Sequence, residues 1–271
     1  PDDRGRDRYH VKWFVRNGTP WREITDRVAE NPIKRYRDPA AGYKEWVATG
    51  GETEGSADAW LVLCSLREAL DTAPSDFNAG AEVYRTFAIP QFQPAELLAV
   101  VLQEACGMPI CQGYGGTSFS GHVNPTHWSP EERHMMGTTC LRFRGLDLPV
   151  QTDWHATTAL RPPSWLTILG PPFLDKLGGA KAFHNLGSDV VVHDLETCIL
   201  IQDGPEPQGG DLNKGQTMES RRRIAKVMSP LIYDGKYAGS YANTSREFVI
   251  DYYRRFEAPA DQPWSTRNIN D

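Results

Sequence analysis

Apolar positions along this chain recur with two periods, and segments of each kind are interleaved. The helical period is clearest after Pro94, where Leu97, Leu98, Val101, Leu102 and Ala105 share one face and Gly107 and Pro109 stop the run. Thr19-Pro20 reads as an N-cap followed by proline at the first helical position, with Trp21, Ile24 and Val28 as the stripe and Pro32 as the stop. Ser129-Pro130-Glu131-Glu132 is a capping box opening a short helix. Thr217 is placed to cap a helix that turns Ile224, Val227 and Met228 inward and ends at Ser229-Pro230. Thr244 and Glu247 form a further capping box before Phe248, Val249, Tyr252 and Phe256.

Strand-like runs rich in β-branched and aromatic residues fall at 83–89 and 165–169. Segments 190–193 and 197–202 read as a hairpin with Asp194-Leu195-Glu196 at its turn, and 50–56 reads as a loop. The connections are irregular and no βα unit repeats. The pattern therefore predicts an α+β fold, a mostly antiparallel sheet packed with helices in a single domain. Its expected bounds are residues 9–257, with a disordered tail at 1–8 and an extension at 258–271.

Composition changes this picture mainly by exclusion. Of 271 residues, 39% are hydrophobic and 24% charged, which is ordinary for a globular chain. The net charge of −6 argues against direct nucleic-acid binding, which needs surplus Lys and Arg to displace counterions. The longest basic run, Arg221-Arg222-Arg223, reads as a solvated helix face. No apolar run approaches the roughly 20 residues of a membrane span, so no membrane partner is expected. Five cysteines without repeating spacing (Cys64, Cys106, Cys111, Cys140, Cys198) suit free thiols in a reducing cytoplasm.

Candidate chemistry is thin. His122, His127, His134, Cys140, Asp153 and His155 bring metal-ligand types into one window, and a metal-dependent hydrolase using His122, His127, Asp153 and His155 is the alternative reading they support. Their spacing matches no compact ligand pair, so no metal and no cofactor is expected. Cys106 and Cys111 flank a helix C-terminus, where the dipole opposes a thiolate; they read as packing thiols. Gly113-Tyr114-Gly115-Gly116 lacks the residues of a phosphate loop and reads as a turn. With no Gly-x-Ser-x-Gly elbow either, no catalytic residue is assigned and the chain is read as not an enzyme.

The segment from Gln202 to Gln216 is more suggestive. Four glycines, two prolines and the acids Asp203, Glu206 and Asp211 form a shaped acidic loop between a strand and a helix. Recognition and an ordinary solvated connection stay open for it.

Two stretches carry a family resemblance. One runs Ser164-Trp165-Leu166-Thr167-Ile168-Leu169-Gly170-Pro171-Pro172-Phe173-Leu174-Asp175-Lys176-Leu177-Gly178-Gly179. The other runs Ile199-Leu200-Ile201-Gln202-Asp203-Gly204-Pro205-Glu206-Pro207, followed by Gly210-Asp211-Leu212-Asn213. In that order they resemble a bacterial family first known only as a domain of unknown function, the TsiV/TsiT-like immunity proteins of type VI secretion systems, encoded beside nuclease effectors. The resemblance is clearest over residues 80–257 and weaker over the first 75. It implies a cytoplasmic immunity protein that binds a cognate effector toxin, a DNase-type nuclease, and silences it by covering its active site or disturbing its active assembly. Asp203, Glu206 and Asp211 would then mimic phosphates, with Asn213 beside them and Trp128 and Trp154 as aromatic anchors. A homodimer or a larger complex with the toxin both stay open.

Overall fold

A computed structural model describes residues 93–119, 129, 135, 139–140, 142–147, 158–233 and 246–257, and as backbone alone 13–16, 44–49, 60–67, 80–87 and the first turn of the last helix. The α+β class with antiparallel sheets is what the structure shows, and the chain divides into two compact units. They are Pro1–Phe92 with Ser120–Trp128, and Gln93–Phe119 with Ser129–Asp271.

The first unit holds strands β1 (Trp13–Arg16), β2 (Lys44–Thr49), β3 (Trp60–Arg67) and β4 (Gly80–Phe87). They pair antiparallel in chain order, with Val15, Val47, Leu63 and Tyr84 in one row across the sheet. Only β4 was expected, over 83–89, and it begins and ends earlier. The expected helix after Thr19, the loop at 50–56 and most of the capping box at 129–132 lie outside the described residues.

The second unit holds α1 (Pro94–Ala105), β5 (Gln112–Gly115), β6 (Leu166–Leu169), α2 (Pro171–Leu174), β7 (Val190–Asp194), β8 (Ile199–Asp203), α3 (Glu219–Met228) and α4 (Arg246–Tyr253). Its sheet has the order β5-β6-β8-β7, antiparallel throughout. The central strands β6 and β8 are buried along their whole length. Strands covered on both faces read as largely apolar runs, which is how 165–169 and 199–201 stand out. Leu166, Ile168 and Leu200 share one face and pack with Leu97, Leu98, Val101 and Leu102 of α1 around Trp165. Each such aliphatic side chain contributes about 1.5–3 kcal/mol on burial. The other face carries Thr167, Leu169, Ile199 and Ile201, also buried, and ends at Asp203.

Three local expectations need correction. Gly113-Tyr114-Gly115 is not a turn but part of β5, paired with β6. The glycines hid it, since they weaken strand propensity. Gly113 fits there because the Ile168 side chain lies directly against it. The hairpin has β7 running through Asp194, and its turn is Leu195–Cys198, closed by Leu195 N–H donating to the Cys198 carbonyl at 2.9 Å. Helix α3 begins at Glu219 with Met218, not Thr217, as its N-cap, at a left-handed φ of 55°. Met218 is buried with Ala225 and Phe256, so tertiary packing overrides the local cap signal.

The basic run at 221–223 is the largest departure. Arg221 is 0% exposed and lies on the same helical face as Ile224, Ala225 and Met228, so it is no solvated residue. Its Nε donates to Asp203 Oδ2 at 2.8 Å and its Nη1 to the Gly145 carbonyl at 3.3 Å. A second buried pair lies beyond it. Arg255 Nη2 donates to Asp147 Oδ1 at 3.0 Å, its Nε to the Arg144 carbonyl at 2.8 Å and its Nη1 to the Tyr252 carbonyl at 3.0 Å. Its guanidinium stacks 4.0 Å from the Tyr252 ring and 4.6 Å from Phe256. The Ser164 hydroxyl, at the start of β6, pairs with the other oxygen of Asp147.

Removing one partner of such a pair leaves a buried charge without compensation, a large penalty. Arg255→Ala should therefore lower stability by about 3–5 kcal/mol, read as a lower urea midpoint. The double variant Asp147→Asn/Arg255→Met should recover much of that loss. An Arg255→Ala protein with an unchanged midpoint would show that the pair holds nothing.

Candidate functional site

The loop leaving β8 is anchored at both ends before its middle reaches solvent. At its start, Asp203 N–H donates to the Trp165 carbonyl at 2.8 Å, and the Gly204 carbonyl accepts from Trp165 Nε1 and Gln202 Nε2, each at 3.0 Å. Asp203 is itself 4% exposed and committed to Arg221. In mid-loop, Gly145 N–H donates to the Gly209 carbonyl at 2.9 Å and Arg144 N–H to the Gly210 carbonyl at 3.2 Å. A Cβ on Gly145 would overlap the Gln208 carbonyl, so this close approach requires glycine there.

The far end turns on Asp211. Arg142 grips its carboxylate with two parallel bonds of 3.0 Å, Nε to Oδ1 and Nη2 to Oδ2. Asn213 N–H donates to Asp211 Oδ1 at 3.0 Å, capping a 3₁₀ turn over Leu212–Lys214. The Gln216 side chain accepts from Asp211 N–H at 2.8 Å. The hydrogen bond from Arg142 holds the Asp211 carboxyl below the usual carboxylate range.

These contacts divide the residues proposed for partner binding. Asp203 and Asp211 have their carboxylates turned inward and occupied by arginines, so neither offers oxygens in the manner of a phosphate. They shape the loop. Glu206 and Asn213 are exposed on it and remain available to a partner. Trp128 and Trp154 lie outside the described residues. So do His122, His127, His134, Asp153 and His155 from the alternative metal cluster. Its remaining member, Cys140, is buried, and burial pushes its thiol up to about 12, which disfavours the thiolate a metal or a nucleophilic step requires. Among the described residues no group of three or more His, Cys, Asp or Glu could hold a metal ion.

The sequence reading missed the buried arginines. A signal for them existed: Arg221 is three residues before Ile224 and seven before Met228, and Arg255 is three after Tyr252. Both fall on the stripe that the apolar residues define.

Among known proteins, the model of a family described as TsiV, type VI immunity for VRR-NUC, matches residues 6–267. A solved structure of a Pseudomonas aeruginosa type VI secretion system (T6SS) protein has the same fold, with a TM-score of 0.70. It is 18% identical, and the match covers 91% of this chain and 74% of that one. No curated protein matches the sequence. Among the described residues, no helix is long and apolar enough to cross a membrane.

Because the folded-state pKa of Asp211 is depressed, its stabilising contribution is present above the unfolded carboxylate value of about 4 and is lost as pH falls through the lower folded value. Amides of residues 204–216 should therefore exchange faster as the pH drops below about 4, after correction for intrinsic rates. Asp211→Asn should show the faster exchange already at neutral pH and lose this acid dependence. Equal protection in the variant and the native chain would refute the anchoring role.

Proposed function

The chain belongs to the TsiV family of type VI immunity proteins for VRR-NUC, and from that premise we propose that it neutralises a cognate VRR-NUC nuclease effector by binding it and covering its DNA-cleaving cleft. The family match over residues 6–267 carries this reading. It favours a binding protein over the metal-dependent hydrolase.

The charge distribution supports occlusion of the cleft. A nuclease must present a basic surface to phosphates. Among the described residues of this chain, the buried charges cancel: Arg144, Arg221 and Arg255 against Asp147, Asp203 and Asp211. They leave the chain's net charge of −6 undiminished. An acidic partner is steered onto a basic cleft and competes there with DNA. Glu206 and Asn213 are presented toward the nuclease on a loop that Asp203 and Asp211 hold in shape, so little ordering is required on binding. The four cysteines among the described residues are all free thiols, in keeping with action in the cytoplasm, where an incoming nuclease would reach DNA.

The test is a DNA-cleavage assay with the purified cognate VRR-NUC effector, with and without this protein, alongside association kinetics at low and high salt. The expected result is a stable complex that silences cleavage and forms at least about tenfold more slowly at high salt. Full cleavage in the presence of excess protein would overturn the reading. Inhibition with a salt-independent association rate would remove the electrostatic part of it.

A further inference from the structure

The surface that the acidic loop leaves unexplained is the outward face of α1. Its inward face, Leu97, Leu98, Val101, Leu102 and Ala105, packs into the core. Outward it presents Ala95, Glu96, Ala99, Val100 and Gln103, and the chain continues through exposed Cys106, Met108 and Pro109. Val100 and Met108 remain 37% and 42% exposed. The solvent face of a surface helix ordinarily carries charged and polar side chains with both signs interspersed. This one has no basic residue at all; its fully exposed charge is Glu96, and half-buried Glu104 follows one turn after Val100.

The bias extends well beyond the helix. No lysine or arginine occurs between Arg85 and Arg133, in a chain that has 29 of them among 271 residues. A stretch of that length would ordinarily hold several. The neighbouring hairpin adds to the same surface: Thr197 Oγ1 donates to the Met108 carbonyl at 2.9 Å, which brings the turn after β7 and its exposed Glu196 alongside Met108. The patch has an uncharged centre of small and flexible apolar side chains and an acidic edge. That is the composition of an interface core with a polar rim. Alanine and valine lose little side-chain entropy when covered, and methionine adapts to irregular partners.

We propose that the outward face of α1, extended through Met108 and Pro109, is the surface on which this protein seats a basic protein partner, which is the VRR-NUC nuclease itself. This rests on the function proposed above and deepens it. Absence of positive charge over the whole segment is what a basic partner requires, since a lysine or arginine there would face like charge. The uncharged centre supplies the contact area, and Glu96 and Glu196 complement the rim of the nuclease.

Cys106 lies within the patch and reports on it directly, because its thiol is exposed while those of Cys140 and Cys198 are buried. The experiment is maleimide labelling read by peptide mass spectrometry, on the free protein and on its complex with the nuclease. Cys106 should be modified in the free protein and protected at least about tenfold in the complex, with Cys140 and Cys198 unreactive in both. In parallel, the double variant Val100→Arg/Met108→Arg should weaken association by about 100-fold or more, while Val191→Arg on β7 changes it by less than about threefold. Matching thermal transitions of the variants and the native chain would show that folding is intact.

If the native protein binds and inhibits the nuclease, yet Cys106 is labelled at its free rate and the double variant binds normally, the docking surface is overturned and the immunity function stands. If the native protein fails to bind the nuclease, both fall. If Cys106 is already protected in the protein alone, in a dimer that the double variant dissociates, the face belongs to a second copy and the proposal is overturned.

Discussion

The second unit depends on buried guanidinium–carboxylate pairs that join segments far apart in the chain. Arg255, just past α4, holds Asp147, and Asp147 in turn holds Ser164 at the start of β6. Arg221 in α3 holds Asp203 at the end of β8 and touches the Gly145 carbonyl. Each pair sits where burial without a partner would be prohibitive, so the geometry tolerates few alternatives. Such pairs add little net stability compared with apolar packing. What they fix here is registration: α3, α4, segment 142–147 and the ends of two strands are placed against one another. Aromatic rings complete the cage, with Arg255 stacked on Tyr252 and Phe256, and Tyr252 and Tyr253 edge to face at 5.9 Å.

The loop from Gly204 to Gln216 inherits that placement. Gly145, which accepts Arg221 through its carbonyl, receives the loop at Gly209 through its N–H. The internal pairs and the exposed loop therefore meet at one residue, through the two peptide groups that flank its Cα. The Arg221 contact at Asp203 and the Arg142 contact at Asp211 bracket the exposed Glu206. A loop of this length would ordinarily be mobile. Here its start and its middle are tied to buried groups and its far end to Arg142 and Gln216, leaving exposed positions on a held backbone.

Legibility in the sequence followed the kind of signal available. Helix α1 was readable because its apolar period, opening proline and closing Gly107 all agree. The central strands β6 and β8 were readable as apolar runs between turn residues. Strand β5 was not, because Gly113, tight against Ile168, and Gly115 carry little strand propensity. The start of α3 was misplaced by one residue because packing of Met218 outweighed the hydroxyl of Thr217. For the candidate site, the motifs at 164–179 and 199–213 together pointed to the correct family. The roles of its acids were not legible, since Asp203 and Glu206 look alike in sequence. Their difference is made by Arg221, a residue whose charge alone suggested solvent.

That inversion explains why net charge is a better guide to this protein than any single acidic residue. Carboxylates that stand out within a shaped loop are the ones a fold must neutralise to build the loop, so prominence in a motif selects for structural acids. Partner-facing acids need only be exposed and unopposed, and they leave their trace as a missing opposite charge. On the docking surface proposed above, the absence of lysine and arginine between Arg85 and Arg133 is such a trace. It coincides with an α1 surface that offers uncharged contact area instead of salt bridges. For an inhibitor of a basic enzyme the division is physically economical: long-range attraction needs only an excess of negative potential, whereas residence time depends on desolvated apolar contact at the centre of the interface. On that proposal, separating the two tasks would let the acidic rim steer and the α1 face hold, without leaving any charge buried and unpaired in the complex.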